Sequence, residues 1–102
     1  MFTKKPELNK KNKLVVSVSV VGDVEIQKLN KKYLKRDYPT DVLSFNIDEE
    51  HEGDYFLGDI VVNKDQALRQ AGKYGNTVEE EVSELVGHGM LHLLGVHHDG
   101  DE

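Results

Sequence analysis

Thr77 and Glu80 open a helix whose apolar stripe leaves a chain of 102 residues few ways to fold. A threonine followed three residues later by glutamate is a capping box, each side chain closing a backbone donor of the other residue. Glu79, Glu80 and Glu81 place negative charge in the first turn, where the helix dipole favours it. Beyond them Val78, Val82, Leu85, Val86, Gly89 and Leu93 recur at helical spacing, so the segment from Val78 to about Leu94 is expected to run through the core. Gly89 permits a close approach to whatever lies beneath it.

The remaining elements follow from period and punctuation. Val16, Val18 and Val20 alternate with Ser17 and Ser19, giving a strand from Leu14 to Val21 that Gly22 closes. Asp23 is a candidate N-cap for a helix to about Leu34, with Val24, Ile26, Leu29, Tyr33 and Leu34 near one face. Pro39-Thr40 breaks the chain before a short strand, Val42 to Ile47. The acidic stretch Asp48 to Asp54 reads as a surface loop, with His51 an exposed loop histidine. Tyr55 to Val62 resumes as strand, with a bulge or close backbone approach expected at Gly58-Asp59 and a hairpin-like pairing with the preceding strand. Asn63 or Asp65 caps a further helix ending near Tyr74-Gly75. These elements imply one α+β domain over residues 1–102, a small mixed sheet packed with helices.

Composition narrows the setting. The chain has no cysteine, which excludes disulfides and thiolate metal sites. The run from Leu14 to Val21 is too short to cross a bilayer, and the basic start Lys4-Lys5 leads into polar sequence; a soluble, cytoplasmic protein with no membrane partner is expected. The net charge of −6 is unevenly spread. Residues 1–36 hold ten of the thirteen Lys and Arg against three acids, a balance of +7, while residues 37–102 carry −13. Lys28, Lys31, Lys32, Lys35 and Arg36 gather on or just after the first helix. They suit a helix C-terminus, and they equally suit contact with a polyanion.

Four of the five histidines fall in one window of eleven residues, His88 to His98. His88 and His92 stand four apart and so share a helix face; Gly95 can end the helix and let the chain bring His98 back. The spacing His-x3-His-x2-Gly-x2-His matches the ligands of extended zinc-protease motifs, which leave one tetrahedral position for water. Those proteases carry glutamate after the first histidine, and here Gly89 stands there, so peptide hydrolysis by that route lacks its base. Three neutral imidazoles leave the full charge of one Zn²⁺ to act on water or on a phosphoryl oxygen, which suits an anionic substrate. A closed structural site is the alternative, with His97 or Asp99 as a fourth ligand. Zinc, nickel and cobalt all accept such a site.

The blocks Leu29-Asn30-Lys31-Lys32-Tyr33, Pro39-Thr40-Asp41-Val42-Leu43-Ser44-Phe45, Leu57-Gly58-Asp59-Ile60 and His88 to Gly95 with His98 resemble the YbeY endoribonucleases, bacterial rRNA maturation factors. The likeness runs from about Leu14 to His98. It implies one zinc held by His88, His92 and His98, cleavage of single-stranded RNA, and a part in ribosomal RNA maturation and quality control on the small ribosomal subunit. Three positions depart from the pattern: Leu34 stands where the family usually has arginine, with Arg36 two residues on, and Val96-His97 replaces the usual Tyr-Asp. Glu84, Asp41, Ser44 and Asp59 are candidates to assist the chemistry or line the cleft; the base itself is not identified by the sequence. The alternative readings are a non-catalytic, zinc-stabilised ribosome assembly factor and a minimal metalloprotease.

Overall fold

A central strand buried on both faces organises the molecule. In the computed structural model, which describes residues 12–95, the order is β1 (Leu14–Val21), α1 (Asp23–Leu34), β2 (Val42–His51), β3 (Asp54–Asn63), α2 (Lys64–Tyr74) and α3 (Val78–Leu93). The three strands form one mixed sheet in the order β1-β3-β2, with β1 parallel and β2 antiparallel to β3. Leu57, Ile60 and Val62 of β3 pack with Ala67, Leu85 and Leu93 beneath α2 and α3. On the opposite face Val61 joins Leu43 and Ile26 of α1. A strand covered twice has to be apolar along most of its length, which accounts for the dense Leu-Ile-Val content of β3.

Strand β3 changes parity at Leu57-Gly58, where the register with β1 slips between Val15 and Val16. Leu57 and Ile60 both turn toward α3, an arrangement possible only with an extra residue between them. At Gly58 a Cβ would strike the carbonyl oxygen of Phe45 and come within 2.7 Å of Leu93 Cδ2. Gly89, on α3, is equally confined: a Cβ there would lie 2.7 Å from Ile60 Cγ2 and 3.1 Å from Ser44 Oγ. Helix and sheet therefore meet through two glycines.

Two expected boundaries shift, and one open alternative is decided. The strand expected to stop at Ile47 continues to His51, so the acidic stretch is mostly strand, and only Glu52-Gly53, both at positive φ, form the hairpin turn. Its residues are exposed, so charge costs little there, and the backbone ladder with Tyr55 and Phe56 decides the conformation. The N-cap of α1 is Gly22 rather than Asp23, and the cap comes from another element, Asp23 N donating to Asp65 Oδ2 at 2.9 Å. Asn63, not Asp65, caps α2, accepting from the amides of Asp65 and Gln66. The face of α1 also differs from expectation: Ile26 and Asn30 are buried while Val24 is 70% exposed. The capping box of α3 forms as expected, Glu80 N donating to Thr77 Oγ1 and Thr77 N to Glu80 Oε1.

Asn63 also anchors the loop before β2. Its side chain donates to Asp23 Oδ1 at 2.7 Å and to Thr40 O at 3.0 Å, and its amide donates to Asp41 O at 2.8 Å. Arg69 grips the Asp23 carboxylate through both guanidinium nitrogens, at 2.9 and 3.0 Å. Hydrogen bonds from Arg69 and then from Asn63 hold the Asp23 carboxyl below its ordinary value of 3.8. That stabilisation is complete above the unfolded carboxylate's value and is lost as pH falls through the folded one. Arg69→Leu is expected to lower the thermal midpoint at neutral pH and to flatten its decline below pH 4, read by circular dichroism.

Two neighbouring glycines of α3 make an internal control. Nothing lies within 4 Å of a Cβ placed at Gly87. Gly87→Ala should therefore stabilise by up to about 1 kcal/mol through helix propensity. At Gly89 the same gain meets an overpacking cost of about 1–3 kcal/mol, so Gly89→Ala should lower stability on denaturant unfolding.

Candidate metal and phosphate-binding cleft

Helix α3 carries His88 and His92 one turn apart, and both line a cleft of about 870 Å3 between α3, the β2 strand and the end of α1. Apolar packing of Leu85, Gly89 and Leu93 fixes the rotation of the helix, which leaves the two imidazoles at the border of the core. Two side chains of β2 secure the helix from below. Ser44 Oγ donates to Gly89 O at 3.2 Å, and Asn46 Nδ2 donates to Leu93 O at 2.9 Å. The second bond closes a carbonyl in the last turn, where helices otherwise leave acceptors unpaired.

Past Leu94 the chain turns at Gly95, with φ of +84°. This is the left-handed position at which the spacing expects a reversal. His97, His98 and Asp99 lie outside the described residues. Among the described residues no three His, Cys, Asp or Glu side chains converge on a point. The donor chemistry here nevertheless suits zinc: two imidazoles on successive turns open onto one cleft, backed by a packed wall and followed by a chain-reversing glycine.

The basic residues divide sharply. Lys35 adopts φ of 61°, closing α1 with a left-handed turn that carries Arg36 onward, and Arg36 is the one Lys or Arg side chain among the described residues that lines the histidine cleft. Leu34 lines it as well. Lys28 borders a separate groove with Asp23, Val24 and Lys64, Lys31 pairs with Asp37 at 3.7 Å, and Lys32 stands 5.1 Å from the ring centre of Tyr33. The five cations expected along one path thus reduce to one at the cleft.

Of the other candidates, Asp41 and Ser44 line the cleft, and Asp41 also borders an adjoining cavity with Glu84 and His88. Asp59 does not belong. It pairs across the sheet with Ser17 and Phe45 and lines a groove with Tyr33 and Val61 on the α1 side, because the parity of β3 turns Gly58 and Ile60 toward α3 and Asp59 away. His51 sits at the end of β2 beside Glu49, 3.0 Å away, outside the cleft lining.

Four further residues enter the site. Asn30 is 1% exposed and lines the cleft; its Nδ2 donates to Tyr38 O at 2.9 Å, its backbone carbonyl accepts from Arg36 N, and its Oδ1 has no hydrogen-bond partner among the described residues. Its position four residues after Ile26 places it on the buried face of α1, a signal the surrounding lysines obscure. Asp48 and Tyr55 close the hairpin end, Tyr55 Oη donating to Asp48 Oδ1 at 3.0 Å. Burial first, and then this bond, raise the Tyr55 phenol above its ordinary value of 10.0, so it stays protonated near neutrality and keeps its O–H as a donor. Asn46 becomes visible only through its bond to Leu93.

Curated relatives share this chain's sequence over most of its length. An endoribonuclease YbeY from Aquifex aeolicus is 50% identical over 88 residues, covering 86% of this chain and 59% of the relative. One from Bacillus licheniformis is 45% identical over 96 residues, covering 85% and 61%. The chain spans about three-fifths of the length of these relatives. A solution structure of a Thermotoga maritima protein superposes with a TM-score of 0.59 at 37% identity, covering 87% of this chain and 57% of that one. The family model described as endoribonuclease YbeY matches residues 2–102, and the chain therefore belongs to the YbeY endoribonuclease family.

Proposed function

We propose that this chain is a zinc-dependent single-strand endoribonuclease that acts in ribosomal RNA maturation and in quality control of the small ribosomal subunit. The observation that carries the reading is one cleft that joins His88, His92 and Arg36 in a member of an endoribonuclease family. His88, His92 and His98 would hold the ion. When bound, zinc supplies a Lewis acid and lowers the pKa of a coordinated water to about 7.

The chain's own groups provide binding and order around that chemistry. Arg36 offers a planar, permanently charged fork for a phosphate, positioned by the left-handed Lys35 turn and by its backbone bond to Asn30. Asp41 borders both the cleft and the cavity beyond His88, a position from which its carboxylate can orient that imidazole. Ser44 is committed to Gly89 O, so its work is to seat α3. Tyr55 donates at the far end. No helix among the described residues is long and apolar enough to cross a membrane.

Purified protein should contain about one zinc per chain by elemental analysis and should cleave single-stranded RNA but not casein. Chelator and His88→Ala should each abolish cleavage, and His88→Ala and His98→Ala should each lose the metal, whereas His97→Ala should keep it. Stoichiometric zinc without cleavage would leave the assembly-factor reading in its place. A charged hydrogen bond is worth about 1.5–3 kcal/mol, so Arg36→Ala should lower kcat/KM for RNA about 10- to 100-fold. Lys28→Ala, which lies on a different groove, should change it less than about twofold.

A further inference from the structure

A second cavity, of about 360 Å3, lies on the α2 side of His88. It shares Asp41 and His88 with the main cleft, so the two cavities adjoin at these residues. Its other walls come from Gln70 and Tyr74 of α2, Asn76 in the turn that follows, and Glu81 and Glu84 of α3. Both volumes fall in the range of sites that take small organic groups.

The two compartments differ in charge. Among the described residues Arg36 lines the first, while no lysine or arginine lines the second and three carboxylates do, at Asp41, Glu81 and Glu84. A phosphate is repelled there. A flat, uncharged group with hydrogen-bond donors on its edge is not. Tyr74 is 62% exposed at the end of α2, with Lys73 Nζ 5.4 Å from the centre of its ring, and its aromatic side chain lines the cavity where such a group would lie. The polar groups are held in place: Asn76 Nδ2 donates to Oε1 of the buried Glu81 at 2.7 Å, and Asn76 N to Ala71 O at 3.1 Å, which fixes the turn between α2 and α3 and leaves the Asn76 side chain its carbonyl and one N–H to offer.

We propose that this cavity is a nucleobase subsite. It stacks on Tyr74 the base of the nucleotide adjoining the phosphate held in the histidine cleft, and its acceptors favour the exocyclic amino groups of adenine, cytosine or guanine over uracil. The inference rests on the reading of the cleft as an RNA site. Stacking of one base on an aromatic side chain is worth about 1–3 kcal/mol, or about 5- to 150-fold in affinity.

Nuclear magnetic resonance titration of the whole chain with AMP, CMP, UMP and ribose 5-phosphate tests it without requiring cleavage. AMP and CMP should shift the amides of Gln70, Tyr74 and Glu84, UMP should do so more weakly, and ribose 5-phosphate should not. Tyr74→Ala should weaken AMP binding at least fivefold and Tyr74→Phe should retain it. The proposal is overturned if ribose 5-phosphate reproduces the shifts, if the nucleotides leave these amides unmoved, or if Tyr74→Ala binds AMP as the unaltered chain does. RNA cleavage alongside any of those outcomes removes the subsite and leaves the nuclease reading intact. Base-dependent shifts without RNA cleavage uphold the subsite and remove the nuclease reading.

Discussion

The seating of α3 on the sheet is the contact on which the other features depend. Two glycines, Gly58 below and Gly89 above, remove the side chains that would hold helix and strands apart, and Ile60 and Leu93 fill the space between them. Interiors packed to crystal density tolerate little slack, so this approach fixes the rotation of α3 as well as its distance. The histidines inherit that rotation. Ser44 and Asn46 add directional hydrogen bonds to helix carbonyls, converting a non-specific apolar contact into a defined position along the helix axis.

The charge imbalance of the chain takes a specific form at the cleft. Among the described residues, Lys28 borders another groove, Lys31 pairs with Asp37, and Arg36 alone of the lysines and arginines lines the cleft with the imidazoles. Beyond His88 the lining turns acidic. Arg36 on one side of His88 and carboxylates on the other give the two cavities opposite charge, an asymmetry contributed by three separate elements, the end of α1, the loop before β2 and the body of α3.

Much of this was legible in the sequence, and the failures have local causes. The capping box, the apolar stripe of α3 and the alternation of β1 specify their elements because short-range chemistry and burial agree there. The extension of β2 through acidic residues was hidden because the composition that favours a loop also suits an exposed strand stabilised by its ladder with β3. Asp23 was misplaced by one residue because the cap of α1 comes from Asp65, 42 residues away. Asp59 was misread for a different reason: it sits beside a glycine that does face α3, and only the parity of the bulged strand separates them. Arg36 was grouped with its neighbours, and the left-handed Lys35 that sets it apart has no sequence signature, since glycine or asparagine usually fills that position.

Asn63 joins regions that the fold otherwise keeps separate. One side chain touches the Asp23 carboxylate gripped by Arg69 and also the backbone of the loop bearing Asp41. Protonation that weakens the Asp23–Arg69 pair therefore acts on a residue that also holds the loop bearing Asp41 at the cleft wall. The pH dependence of that wall is thereby tied to a bond network outside the cleft itself.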